Sequence, residues 1–180
     1  MLWLALSYPQ LPLEVFDPEC ASNSRPVVVL EKNKIALCNA AAQKLNILPG
    51  SSLATAQAIQ EELTYFDRDH FLEQKVLTSL ATKLYALSSQ VSMPSECAIL
   101  LEIGASIRLF GSVDVLVQKA IELSSTAGLQ AVGGVASTPQ AALAFSYSNK
   151  NKLSDIHLTR SGIERAGITE KTLNQLSDMG

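Results

Sequence analysis

The strongest constraint on the fold comes from Ala98–Ile103, where five of the six residues are apolar and Glu102 is the exception. Two further stretches, Leu2–Leu6 and Gln130–Ala136, are also dominated by apolar residues. A short continuous apolar run is typical of a strand that is buried on both faces of a sheet. Such a sheet needs helices to cover it, so the sequence predicts a mixed fold of strands and helices.

Helical patterns separate these predicted strands. Residues 71–87, 113–124 and 138–147 have the composition and spacing of helices that pack one apolar face inward. A further strand is expected at 91–93, and 106–110 should either pair back or form a turn. This order predicts an α+β fold, a ferredoxin-like βαββαβ sheet with helices on one face.

Residues 17–70 interrupt that order and are predicted to form a small inserted lobe. The lobe contains a β-hairpin at 26–38, followed by two short helices and a short strand. Asn39 is expected to cap the first helix, and Ser51 or Ser52 the second, because these side chains accept hydrogen bonds from the first turn of a helix.

Composition and charge exclude several classes of protein. The formal net charge is −3 and the pI is about 5.4, which argues against a strongly basic nucleic-acid-binding surface. The three cysteines are far apart and form no CxxC motif, so neither a disulfide framework nor a zinc ribbon is predicted. No apolar run approaches the ~20 residues of a membrane span, and we expect a soluble cytoplasmic protein.

The spacing of residues in the sequence does not by itself identify a set of catalytic residues. Phosphate-loop glycine motifs are absent, and Gly133-Gly134 is interpreted as a site of close backbone approach or a β-bulge. The two histidines, His70 and His157, lie in polar stretches and are expected at the surface. Glu102 is expected to face outward or to pair with Arg108, with a metal-ligand role as the alternative.

Several segments resemble Y-family DNA polymerases. The residues that resemble the start of the family are 2–16 with 25–31, and 39–56. The segment Leu100–Gly111, with the sequence LLEIGASIRLFG, is similar to the ImuB-type branch, the catalytically inactive Y-family relatives of bacterial mutasomes. The segment Gly134–Ala142 matches the same branch.

The resemblance implies a division into domains. The palm would comprise 1–16 and 71–155, and the fingers lobe 17–70. Residues 156–180 would begin a helix–hairpin–helix thumb, so the chain is expected to be a fragment of a longer protein.

The resemblance also implies where the active site would lie. In active members, acidic residues on two strands hold two Mg²⁺ ions that activate the primer end and the triphosphate. Those positions fall here on Ser7, Cys97 and Ala98. The triphosphate-binding positions of the fingers fall on Ala40 and Gln43, which leaves Lys150 as the one candidate contact.

The implied function is therefore a scaffold for error-prone translesion DNA synthesis and DNA repair in the bacterial SOS damage response, with no catalytic residue and no cofactor. Its partners would be a sliding clamp, a RecA-like accessory protein and a C-family polymerase, bound mainly through the missing C-terminal region. Damaged DNA would be contacted weakly or indirectly, and no membrane is involved.

Two other hypotheses remain open. An active, divergent polymerase would use Mg²⁺ held by Glu96, Glu102 and a further acid, because Glu96 is two residues before Ala98 and would share its face of a strand. A ferredoxin-like regulatory module would instead bind a small ligand at Gly133-Gly134.

Overall fold

The structure is a computed structural model, which describes residues 1–20 and 24–148. The predicted thumb at 156–180, together with Lys150 and His157, lies outside the described residues. The elements follow each other in the order β1 (Trp3–Ser7), α1 (Leu11–Glu14), β2 (Val27–Glu31), β3 (Lys34–Cys38), α2 (Ala40–Lys44), α3 (Leu53–Ile59), β4 (Thr64–Asp67), α4 (His70–Leu84), β5 (Val91–Ser95), β6 (Ala98–Glu102), α5 (Ile107–Phe110), α6 (Val113–Thr126), β7 (Val132–Ala136) and α7 (Pro139–Ser148).

The described residues divide into two compact units. The first comprises Met1–Ser7, Lys83–Glu122 and the described residues from Val132 on. The second comprises Tyr8–Thr82 and Leu123–Ala131. Within the described chain, no helix is long and apolar enough to cross a bilayer.

The first unit contains a four-stranded antiparallel sheet in the order β5-β6-β1-β7. β1 lies between β6 and β7, and its last residue, Ser7, is opposite Ala98 on one side and Val132 on the other. This strand order is the one that the ferredoxin-like βαββαβ pattern requires, so the predicted α+β fold is confirmed. The segment 106–110 does not pair back, because a 3₁₀ turn at Gly104–Ser106 leads into α5.

α7 packs on one face of this sheet. Ala5, Leu100 and Ala136 lie on neighbouring strands and form a buried cluster with Ala142 of the helix. Trp3 and Phe145 pack against the same cluster. Because side chains alternate along a strand, Ser7 lies on the same face as Trp3 and Ala5.

Gly134 allows the helix to approach the sheet. A Cβ atom at this position would collide with the backbone of Ala142 and of Ser146, and would lie 2.9 Å from the Cβ of Phe145. The interpretation of the glycine pair as a site of close backbone approach is confirmed at Gly134, and the packed helix leaves no room there for a small ligand.

The second unit contains a three-stranded sheet in the order β3-β2-β4, in which β4 runs parallel to β2. One cluster packs Val28 and Leu30 against Ala42 and Ala56, from α2 and α3. Another packs Val27 and Val29 against Leu13, Cys20 and their neighbours, among them Phe16 and Phe66, whose rings stack at 4.6 Å. The sheet is thus covered on both faces.

The predicted helix caps are present. The Oδ1 of Asn39 accepts hydrogen bonds from the amides of Ala42 and Val27, at 3.0 and 3.1 Å. Its Nδ2 donates to the carbonyls of Cys20 and Arg25. Of the two serines that were candidates for the second cap, Ser52 is the one whose side chain accepts from the helix.

A charged cluster joins β2 to the start of α4. Arg68 donates to both carboxylate oxygens of Glu73, at 2.8 and 2.9 Å, and lies 3.5 Å from Glu31. His70 Nε2 lies 3.1 Å from Glu31, and this hydrogen bond and the charge of Arg68 lower the pKa of Glu31. His70 is exposed, as predicted, but it is part of this network.

Glu14 is a buried carboxyl group in the second unit. It is 2% exposed, and both carboxyl oxygens lie 3.2 Å from the amide of Gln130. Burial raises the pKa of Glu14 to about 7, although the Gln130 hydrogen bond acts in the opposite direction. The folded chain therefore binds a proton at this position more tightly than the unfolded chain does.

Gly134→Ala is expected to destabilise the fold by about 3 kcal/mol or more, because its Cβ would meet helix backbone rather than a movable side chain. The matched control is Gly111→Ala, where φ is +91° but nothing lies within 4 Å. The control should cost about 1 kcal/mol from backbone strain alone. Urea unfolding measures both changes, and equal losses would contradict the close approach at Gly134.

Glu14→Gln is expected to change how stability depends on pH. Since the pKa is about 7 in the folded chain and 4.5 is its ordinary value, stability from Glu14 is fully present below pH 4.5 and is lost as pH rises to about 7. The variant should lack this loss, so the difference between the two proteins should grow across that window. Denaturation at several pH values tests this, with the exposed Glu62→Gln as the control; parallel curves would contradict it.

Candidate functional site

The structure brings together the three positions at which the resemblance implies carboxylates. Ser7 ends β1, and Ala98 begins β6 directly opposite it. Cys97 precedes Ala98 in the two-residue turn that joins β5 to β6. All three positions therefore meet at one end of the four-stranded sheet.

The hydroxyl group of Ser7 is turned toward α7. Its Oγ donates to the carbonyl oxygen of Ser146 at 3.0 Å and lies 3.5 Å from the carbonyl oxygen of Val132. Ser7 is only 2% exposed. The side chain at this position is therefore held as a hydrogen-bond donor to the protein itself.

The other two positions offer little to a metal ion. Ala98 is fully buried and ends in a methyl group. Cys97 is half-buried, with its Sγ 3.9 Å from the Oγ of Ser95. The same Ser95 Oγ lies 3.1 Å from the hydroxyl of Tyr147, so the last turn of α7 reaches the β5–β6 hairpin.

The residues present do not fit a pair of Mg²⁺ ions. Mg²⁺ prefers oxygen ligands, usually carboxylates, in near-octahedral geometry. Ser7, Cys97 and Ala98 supply a donating hydroxyl, a thiol and a methyl group. Among residues 1–20 and 24–148 there is no group of three or more His, Cys, Asp or Glu side chains that could hold a metal ion.

The hypothesis that Glu96 shares the strand face of Ala98 is wrong. Glu96 lies in the β5–β6 turn, before β6 begins, and its side chain is exposed. The register closes the hairpin by pairing Ser95 with Ala98. A residue inside such a turn has left the alternation of the strand, and that alternation was the basis of the prediction.

The expectation that Glu102 faces outward or pairs with Arg108 is also wrong. Glu102 is 9% exposed, and its Oε1 accepts from the amides of Leu2 and Gly104 at 3.2 and 3.0 Å. The amide of Ala105 lies 3.5 Å from its Oε2. The carboxylate therefore organises the turn after β6, and a Cβ at Gly104 would lie 2.8 Å from its Oε1 and 3.1 Å from the Leu2 amide nitrogen, so a larger residue there would displace the carboxylate.

The two fingers positions also lack triphosphate-binding groups. Ala40 is an exposed methyl group at the start of α2. The Nε2 of Gln43 donates to the carbonyl oxygen of Cys38 at 3.3 Å, which stabilises the connection between β3 and α2. Neither side chain carries a positive charge.

Sequence reasoning missed the contribution of α7 to this site. Ser146 and Tyr147 both lie in its last turn, and both contact residues at the end of the sheet. The only signal in the sequence is that polar residues end an otherwise alanine-rich apolar helix.

Comparison with known protein families identifies the chain. A model of the impB/mucB/samB family matches residues 12–146, which is most of the sequence. The chain belongs to this family. A search of curated proteins found no significant match.

Solved structures with the same fold are Y-family DNA polymerases and their relatives. A ternary complex of Dbh is similar with a TM-score of 0.70 and 17% identity over 84% of this chain and 46% of that one. DinB from Sulfolobus solfataricus has a TM-score of 0.63 and 16% identity over the same shares of the two chains. An insertion ternary complex of Dbh DNA polymerase has a TM-score of 0.70 and 15% identity, covering 100% of this chain and 58% of that one. The chain thus spans about half the length of these relatives and is a Y-family polymerase-like protein.

Glu102→Ala is expected to lower the free energy of unfolding by about 1–3 kcal/mol, because it leaves the part-buried amides of Leu2 and Gly104 without their acceptor. Glu102→Gln keeps an acceptor oxygen but loses the charge, and should cost about 1 kcal/mol. Glu96→Gln, in the exposed turn, should change stability by less than about 0.5 kcal/mol.

Chemical denaturation of the three variants tests this order. If Glu102 contributes no more to stability than an exposed acid does, all three variants will unfold at the same denaturant concentration. That result would contradict its role in organising the turn.

Proposed function

We propose that this protein is a non-catalytic Y-family polymerase-like scaffold of the ImuB type, a pseudoenzyme that acts in error-prone translesion DNA synthesis. The single observation that carries the proposal is the set of side chains at the end of the palm-like sheet. A hydroxyl, a thiol and a methyl group stand at Ser7, Cys97 and Ala98, where metal-dependent phosphoryl transfer needs carboxylates. Without carboxylates at these three positions, residues 1–20 and 24–148 offer no cluster of ligands for the ions that would clamp a triphosphate and activate a primer end.

The surroundings of Ser7 support the same proposal. An ionised carboxyl group accepts hydrogen bonds but donates none. The Ser7 hydroxyl bonds to the carbonyl oxygens of Ser146 and Val132, which are acceptors as well. Position 7 therefore suits a neutral donor better than a metal-binding anion.

An active, divergent polymerase is the alternative, and the geometry of its two candidate acids argues against it. The carboxylate of Glu102 is used by the amides of Leu2 and Gly104. Glu96 is exposed in a turn rather than aligned with Ala98 on a strand. No third acid joins them within the described chain.

The scaffold role is proposed to operate in the bacterial cytoplasm during the SOS response. Its partners would be a sliding clamp, a RecA-like accessory protein and a C-family polymerase. The net charge of −3 is consistent with weak or indirect contact with damaged DNA by this part of the protein.

The wild-type chain is expected to show no metal-dependent binding of a deoxynucleoside triphosphate and no primer extension. Calorimetric titration with Mn²⁺ plus the triphosphate, followed by a primer-extension assay, measures both. Dbh DNA polymerase serves as the positive control in the same buffers. Micromolar, metal-dependent binding by the wild type would overturn the non-catalytic proposal, and Glu96 and Glu102 would then be the first acids to replace.

A further inference from the structure

Ser7 contacts the backbone of α7 close to Ser148, the last residue that the structure describes. The Ser7 hydroxyl donates to the carbonyl oxygen of Ser146 at 3.0 Å, across 139 positions of sequence.

A second hydrogen bond and a close backbone approach also bring the last turn of α7 to the sheet. The hydroxyl groups of Tyr147 and Ser95 are 3.1 Å apart, which connects the helix end to the β5–β6 hairpin. Gly134 lets the backbone of the helix approach β7 more closely than any side chain would allow. Ser146 is itself fully buried, and its own hydroxyl donates to Leu143 at 2.8 Å.

We propose that Ser7 is a positioning residue that fastens the last turn of α7 to the sheet. The position that the resemblance assigns to a catalytic carboxylate has thereby become a structural one. A second part of the proposal rests on the proposed function: restoring carboxylates at Ser7, Cys97 and Ala98 will not restore metal binding, because position 7 now requires a donor.

The electrostatics of a helix end strengthen this argument. The C-terminal end of a helix carries partial negative charge from its unpaired carbonyl groups. A carboxylate at position 7 would add a full negative charge beside those groups with no proton to donate. An asparagine has almost the same shape as an aspartate, is neutral and has an amide that donates. The two substitutions therefore separate charge from size.

The experiment measures how firmly the last turn of α7 is held. Ser7→Ala removes only the donor, and it should increase amide hydrogen exchange at residues 143–148 by about tenfold, the equivalent of one ordinary buried hydrogen bond. Ser7→Asp should increase it by about tenfold or more beyond Ser7→Asn. The matched control is Ser95→Ala, which removes the exposed Tyr147 contact and should have a smaller effect.

Trp3 provides an independent readout. It is the only tryptophan in the chain, and it packs against the cluster that α7 forms with the sheet. A shift of its emission to longer wavelength in Ser7→Asp, but not in Ser7→Asn, would support the fastening role. Unchanged exchange and unchanged emission in Ser7→Ala would overturn it, and this variant removes only one oxygen atom, so it should still fold.

The second part is tested with the triple variant Ser7→Asp, Cys97→Asp, Ala98→Glu and with Mn²⁺ as the probe. Electron paramagnetic resonance should detect no bound Mn²⁺ at concentrations up to about 1 mM. Binding by the triple variant but not by the wild type would overturn this part and leave the proposed function intact. Binding by the wild type would overturn the proposed function, whereas the exchange measurements on Ser7→Ala would still decide the fastening role.

Discussion

The close approach of α7 to the four-stranded sheet is the constraint on which the rest of the first unit depends. A helix normally packs on a sheet through layers of side chains, but here its backbone reaches the strand at Gly134. The residues that meet at this contact are small, with Ala5, Ala136 and Ala142 buried among them. Dispersion forces fall steeply with distance, so this short separation gives many favourable contacts at the expense of tolerance to substitution.

The register of the strands decides which residues meet at the end of the sheet. Ser7 and Ala98 are opposite each other because the antiparallel register of β1 and β6 places them there, whatever their side chains are. The chain therefore shares the fold of Y-family polymerases, while Ser7 and Ala98 stand where the resemblance implies carboxylates. In this chain the Ser7 side chain serves the packing of the protein, and a fold that is shared with polymerases is no proof of their reaction.

Much of the fold could be predicted from local patterns. The apolar runs became β1, β6 and β7, and the caps at Asn39 and Ser52 were visible because capping depends on residues a few positions apart. The Cys97 position and the Ser7 position were identified only through a family resemblance. Spacing alone gave no reason to bring them together.

The roles of individual polar residues were harder to predict, because they depend on distant partners. Glu102 looked like a surface acid, yet its partners are backbone amides that any sequence would supply. The prediction for Glu96 was wrong because it extended β6 back through the two residues that form the turn between β5 and β6. The link from Ser7 to Ser146 joins residues whose proximity follows only from the complete topology.

The central place of β1 has a consequence for how the protein can be made. β1 is the first strand in the chain, but its two partners, β6 and β7, begin at Ala98 and Val132. During synthesis, β1 therefore has no partner strand in this sheet until the roughly 90 residues between Ser7 and Ala98 have been added. Pairing between segments so distant in sequence closes large loops and is slow. An apolar strand with unpaired edges is prone to aggregate, so the order in which the strands are made leaves β1 exposed to that hazard until β6 is available.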